Sequence, residues 1–230
     1  VNNIDYVYIC KHGDNEELRY SIRSIVKNLP VGNVWLVGGK PDWYSGNYIS
    51  VPDYSGKFTN IKTCLEAAIN SEEISEDFVL MNDDFFITKK QDSLPILHGG
   101  LLSDKINRYR EVRPGSRYVA LLSKTAAELQ RMGYKEPLDY DIHVPMPMNK
   151  TVLKNIFKRI TFLRSGYGNV ANIGGNQVVD VKVYKTTPES MPSYDYLNDQ
   201  LGFLSSDDSS FSKIESFLSS EFPDKSKYES

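Results

Sequence analysis

The chain has 230 residues, of which 40% are apolar and 25% charged, with 15 tyrosines and 10 phenylalanines; this is enough to bury a sizeable core and excludes a disordered chain. A formal net charge of -3 gives no overall attraction to nucleic acid or acidic membranes, so only local basic patches are left for such a role. No run approaches the ~18 consecutive apolar residues of a membrane span, the start has no basic region or cleavage pattern, and Cys10 and Cys64 sit in apolar contexts; a cytoplasmic protein with reduced thiols and no membrane span is expected.

The segment "DYVYIC" (5–10) is rich in β-branched and aromatic residues and predicts a buried strand. In "HGDNEELRYSIRSIVKNLP", Leu18, Ile22, Ile25, Val26 and Leu29 follow helical spacing, with Asp14 or Asn15 as the cap, glutamates in the first turn and Pro30 as the stop. "NVWLVGG" (33–39) predicts a second strand, "NIKTCLEAAINS" (60–71) a second helix and "DFVLMN" (77–82) a third strand. Alternation with short links implies right-handed crossovers in a mainly parallel sheet flanked by helices. Farther on, "SRYVALLSKTAAELQRMG" (116–133) predicts a strand or turn leading into a helix capped by Ser123 and ended by Gly133. The prolines of "DIHVPMPMN" (141–149) predict extended chain, "KTVLKNIFKRITFL" (150–163) a helix, "QVVDVKVY" (177–184) a strand and "SSFSKIESFLSSEF" (209–222) a last helix.

In open α/β sheets, ligands bind beyond the carboxyl ends of the strands, which here are the polar turns "CKHGDN", "GGKPDW" and "NDDFF". Asn82, Asp83 and Asp84 interrupt an apolar run. Two adjacent carboxylates in such a setting are costly unless a cation neutralises them. Hard oxygen ligands there suit Mn²⁺ or Mg²⁺ bridging a diphosphate, while the alternative is a solvated turn with a capping acid. Gly13 and Asp14 precede a helix start, where backbone N–H groups receive either a phosphate or the cap. Arg19 and Arg23 share a helical face, and Arg19 lies near enough to the first turn to reach the ligand edge. His143 follows Asp139 and Asp141, so Asp141 shares its face of an extended segment; acid/base work and simple packing beside prolines both remain open. "SGYGNVANIGGN" (165–176) reads as a loop over a polar ligand or as a turn. Asp207 and Asp208 precede a helix, as caps or as a second acidic cluster. Two basic stretches, Lys105 to Arg117 and Lys150 to Arg164, fit a solvated face, a diphosphate or a polyanionic acceptor.

Together, "IDYVYICKHGDNEELRYSIRSI", "FVLMNDDFFI", "HVPMPMNK" and "FPDKSKYE" resemble the Stealth-type sugar-phosphate transferases and the related glycosyltransferases encoded by phages. The resemblance implies a GT-A-like nucleotide-diphosphosugar transferase fold; with no Pro/Gly/Ser-rich linker in the first two hundred residues, one domain over residues 1–222 is expected, with a nucleotide- and metal-binding half (1–100) and an acceptor and catalytic half (101–222), and the polar end 223–230 reads as a surface tail. The resemblance also implies Asp14 beside the nucleotide, Asp83 and Asp84 on the metal diphosphate, His143 near the reacting sugar, and Arg19 in the place of the family's helix arginine. From the residues themselves, Gly13, Asn82, Lys154 and Arg164 complete the expected substrate-binding set, and Asp207 and Asp208 join His143 as catalytic candidates. The expected reaction is transfer of a sugar from a nucleotide-diphosphate donor to a hydroxyl of a glycan, a protein or a hydroxymethylated DNA base, in the host cytoplasm if the chain is phage-encoded. Where the family has Trp-Val before its Gly-Asp turn this chain has "CKH", and it is shorter than most capsule enzymes. Sugar-1-phosphate transfer and a non-catalytic binding module therefore stay as alternatives.

Overall fold

The computed structural model describes residues 4–54, 56–186 and 201–230. The first strand, β1 (Ile4–Cys10), leads through a polar turn into α1 (Glu16–Asn28), then β2 (Val31–Gly38), β3 (Asn47–Ser50), α2 (Lys57–Asn70), β4 (Asp77–Met81) and β5 (Phe85–Ile87). Next come β6 (Leu97–His98), α3 (Leu102–Val112), α4 (Arg117–Arg131), β7 (Met146–Asn149), α5 (Lys150–Ile156), α6 (Leu163–Val170) and β8 (Asn176–Gln177). β9 (Phe203–Ser205), a 3₁₀ turn (Phe211–Lys213) and α7 (Glu215–Glu221) follow. The architecture is α/β. Its central sheet has the strand order β3-β2-β1-β4-β7, and β1 pairs in parallel with both β2 and β4, as the alternation of strands and helices demands. No helix among the described residues is long and apolar enough to cross a membrane.

The chain divides into two compact units. Unit 1 comprises residues 1–94, 143–147 and 181–230; unit 2 comprises residues 95–142 and 148–180. The units are interleaved along the chain, residues 143–147, 181–186 and 201–230 belonging with the first.

In unit 1, α1 buries Leu18, Ile22 and Ile25 as its spacing predicts. The same buried face carries a polar stripe, Glu17, Ser21, Ser24 and Asn28, spaced 4, 3 and 4. The stripe clasps β5: Ser21 donates to the Phe85 carbonyl, the Ile87 N–H donates to Ser24 Oγ at 2.9 Å, and Asn28 donates to the Ile87 carbonyl at 2.6 Å. Each such bond contributes roughly 1 kcal/mol net, and leaving the short strand's groups unpaired would cost more. On its other edge β5 pairs antiparallel with β9, and Phe86, Leu204, Val183, Ile214, Leu218 and Phe222 form a core cluster there.

Residues 223–230, expected as a surface tail, are instead built into unit 1. Tyr228 stacks on Tyr44 with ring centroids 6.1 Å apart, and the Ser45 and Ser230 N–H groups donate to the carbonyls of Tyr228 and Trp43, each at 2.9 Å. The fully buried Glu229 side chain meets Arg23 at 2.6 Å and Arg19 at 3.3 Å. Burial alone would raise this carboxyl, but hydrogen bonds from Arg23 and Ser226 overcome it and bring its pKa down to about 2.

In unit 2, α4 begins earlier than its sequence suggested, because Ser116 rather than Ser123 caps it, accepting from the Val119 N–H. Ser123 lies inside the helix and accepts from Arg110. The helix expected over 150–163 stops at Ile156, and the expected loop 165–176 is helical up to Val170. Ser165 and Asn169 explain this: on one helical face, they hold the Tyr140 and Leu138 N–H groups, which a loop would present less regularly. The Lys105 ammonium is buried, donating to Asp139 at 2.9 Å and to the Asp141 carbonyl at 2.6 Å.

Candidate functional site

The site is built in unit 1, at the carboxyl ends of β1 and β4. Two turns close against each other there: the Gly39 N–H donates to the Cys10 carbonyl at 3.0 Å, and a Cβ on Gly39 would strike the backbone of Lys11 and His12. Gly13 turns the chain at φ +108°, a conformation that L side chains resist, and so delivers the helix cap to the sheet edge. Asn15 is that cap. Its Oδ1 accepts from the Leu18 N–H at 2.9 Å while its Nδ2 donates to Asp83 Oδ2 at 2.6 Å, so one side chain starts α1 and holds the carboxylate after β4. Asp14, beside it, is exposed.

Asp84 is buried. Its Oδ2 receives the Lys182 ammonium at 3.0 Å and lies 3.4 Å from the Ser205 hydroxyl, while its Oδ1 is buried with no hydrogen-bond partner among the described residues. Asp83 is pushed above the ordinary carboxylate range by burial and then by the neighbouring Asp84, against the Asn15 hydrogen bond. Glu17, one turn into α1, accepts from Ser206 at 2.9 Å. Burial carries its carboxyl to about 7, with Asp83, Asp84 and Asp208 adding to the rise and Ser206 opposing it. Lys11 donates to Asp208 at 3.0 Å, an exposed pair. Four carboxyl groups, Glu17, Asp83, Asp84 and Asp208, therefore gather around two ammonium groups, Lys11 and Lys182, and the surplus is negative.

Among the described residues no three His, Cys, Asp or Glu side chains converge into a ready-made metal cage. The donor set fits a different kind of ion, one held by one or two carboxylates with substrate phosphates and water completing the shell. The unpartnered Asp84 Oδ1 is the atom that such an ion would satisfy.

The other expected residues fall in several places. Asn82 is half-buried at the end of β4, and its carbonyl accepts from the Phe85 N–H, closing the Asp-Asp turn. His143 belongs to unit 1 and meets the Phe85 ring edge-on, with centroids 6.2 Å apart. Asp141, expected to orient it, lies in unit 2 and accepts from Ser165. Asp207 faces its own turn: burial raises its carboxyl, but hydrogen bonds from Ser209 and Ser210 prevail and hold it below the usual range, which makes it a weak base. Arg19 is engaged by Glu16 and Glu229 and lies over the Trp43 ring at 4.6 Å. Lys154 is exposed on α5, and Arg164 donates to the carbonyls of Tyr140 and Ile142; both belong to unit 2. With Lys105 and Lys150 also buried, the two basic stretches are not continuous solvated faces.

The sequence matches no protein-family model and no curated protein. Glu17, Lys182, Ser205 and Ser206 were not anticipated as site residues. A signal existed for Glu17, which begins the polar stripe of α1, and for Lys182, the one cation between the fully buried Val181 and Val183.

Proposed function

We propose that the protein is a GT-A-like transferase of the kind the Stealth resemblance implies, moving a sugar from a nucleotide-diphosphate donor to an acceptor hydroxyl with Mn²⁺ or Mg²⁺ as cofactor. The observation that carries this reading is the Asp83–Asp84 pair at the carboxyl end of β4, half-buried and buried respectively, with Asp84 Oδ1 left without a partner among the described residues and Oδ2 held by the Lys182 ammonium. The metal, when bound, supplies Lewis-acid stabilisation of the departing diphosphate. Asp83 and Asp84 would hold it. Asn15 keeps Asp83 turned towards the sheet edge, and Lys11 brings positive charge to the diphosphate without burial. Gly13 and Asp14 lie at the helix start, where main-chain N–H groups suit a phosphate or nucleotide. His143, beside the Phe85 ring, takes the proton of the acceptor hydroxyl in this reading, whereas the Asp207 carboxylate is occupied by Ser209 and Ser210 in its own turn. The acceptor is a glycan, a protein or a hydroxymethylated DNA base; exposed Lys154, Lys158 and Arg159 favour a polyanionic one.

The test is thermal stabilisation by a panel of nucleotide sugars with and without Mn²⁺, repeated on Asp83→Ala and Asp84→Ala. The expected outcome is Mn²⁺-dependent stabilisation by one nucleotide class in the native protein and its loss in both variants. Equal donor binding by all three proteins would defeat the reading. Product mass then separates the two chemistries, since only sugar-1-phosphate transfer adds phosphate to the acceptor; binding without turnover would indicate the non-catalytic module.

A further inference from the structure

A cation already occupies part of Asp84. The Lys182 ammonium lies 3.0 Å from Oδ2, and the two side chains are only 12% and 11% exposed. The contact is built into the fold, because the backbone of Lys182 is fixed on both sides: residue 182 bridges in parallel to Ser205, and the Val183 N–H donates to the Ser205 carbonyl at 2.8 Å. Ser205 in turn pairs with Phe85, the residue after Asp84. Val183 is anchored in the core with Phe86 and Leu204. Only the long, flexible side chain of Lys182 is free to change partners.

We propose that Lys182 makes the site selective for nucleotide-bound metal over free metal, by holding Asp84 until a diphosphate offers its ammonium another anion. This rests on the metal–diphosphate reading above and adds an order of events to it. A free divalent ion approaching Asp84 meets a like charge, and to displace Lys182 it would leave a nearly buried ammonium beside a dication that competes with it for the neighbouring carboxylates. A nucleoside diphosphate removes that obstacle, since its phosphate oxygens take up the ammonium and contribute ligands to the metal. Lys11 cannot play this part, because its partner Asp208 is exposed and the pair is open to solvent. Lys182 is therefore a specificity-determining residue: it opposes free metal and favours the loaded nucleotide.

The two effects have opposite signs, and that makes them separable. Mn²⁺ alone is titrated into native protein, Lys182→Gln and Lys182→Arg, with the free ion followed by electron paramagnetic resonance; the titrations are repeated with excess UDP, GDP, CDP, ADP and dTDP in turn. Gln keeps a donor for Asp84 and loses the charge, whereas Arg keeps the charge. Lys182→Gln is expected to bind free Mn²⁺ at least ten-fold more tightly than the native protein and Mn²⁺–nucleotide at least ten-fold more weakly, while Lys182→Arg resembles the native protein in rejecting free Mn²⁺. Should Lys182→Gln fail to fold, Lys182→Arg against native protein still decides, since a charge-retaining variant that gains free-metal affinity overturns the proposal. Equal free-Mn²⁺ affinity in native and Gln proteins, with nucleotide-dependent Mn²⁺ binding intact, overturns this inference alone. Absence of Mn²⁺ binding in every protein with every nucleotide overturns the metal reading as well.

Discussion

Replacing Glu229 with Gln should destabilise the protein by about 2 kcal/mol at pH 7. The carboxyl side chain is fully buried, yet its pKa lies at about 2 rather than 4.5, because Arg23 and the Ser226 N–H stabilise the anion more than burial penalises it. Each pKa unit between folded and unfolded states corresponds to about 1.4 kcal/mol, so a fall from 4.5 to about 2 is equivalent to roughly 3 kcal/mol. Solvent screens part of this at Arg19, which is 21% exposed, and Gln still accepts from Ser226. About 2 kcal/mol remains, or a fall of ~4–8 °C in Tm for a chain of this size. The folded pKa is depressed, so the contribution is complete above about 4.5 and is lost as the pH falls towards 2. Urea denaturation of native protein and Glu229→Gln at pH 7 and pH 3 tests both size and sign, with the difference expected to shrink to less than half at pH 3. A variant within ~0.5 kcal/mol of native at pH 7, or an equal deficit at both pH values, would refute the reasoning and return residues 223–230 to the status of a tail.

Glu17 should behave with the opposite sign: its folded pKa of about 7 lies above 4.5, so its ionisation opposes folding and stability declines as the pH rises between those values. Glu17→Gln is expected to gain about 2 kcal/mol over native at pH 8 and close to nothing at pH 4, read from denaturation midpoints at the two pH values. Lys105→Met should cost about 3–5 kcal/mol because it leaves Asp139 buried and unpaired, and the double variant Lys105→Met/Asp139→Asn should recover a large part of that loss in a thermal melt.

What could be read from the sequence follows the range of the forces involved. β1, α1, β2, α2 and β4 were legible because each is an unbroken period of apolar residues closed by a cap or breaker, and the parallel pairing of β1 with β2 and β4 follows from the alternation itself. Element ends in unit 2 were not legible, since the Ser116 cap and the Ser165–Asn169 face depend on which backbone groups need a partner once the chain has folded. The packed end of the chain was missed for a related reason. "PDKSKYES" is polar by composition, but its glutamate finds two arginines on α1 and its tyrosine finds Tyr44.

The site divides along the same line. Asp83 and Asp84 stand out because adjacent acids in an apolar run are a local anomaly, and electrostatics demands that something neutralise them. That demand can be stated without a structure, but its answer cannot. The ammonium that meets Asp84 arrives from a residue 98 positions later, placed by a pairing of β5 with a three-residue strand whose own sequence carries no strong signal. An anion written in neighbouring residues thus finds its counter-ion through topology. This is also why the pair can act as a switch: Lys182 is tied to Asp84 only through the side chain, and any anion brought to the same place can compete for it.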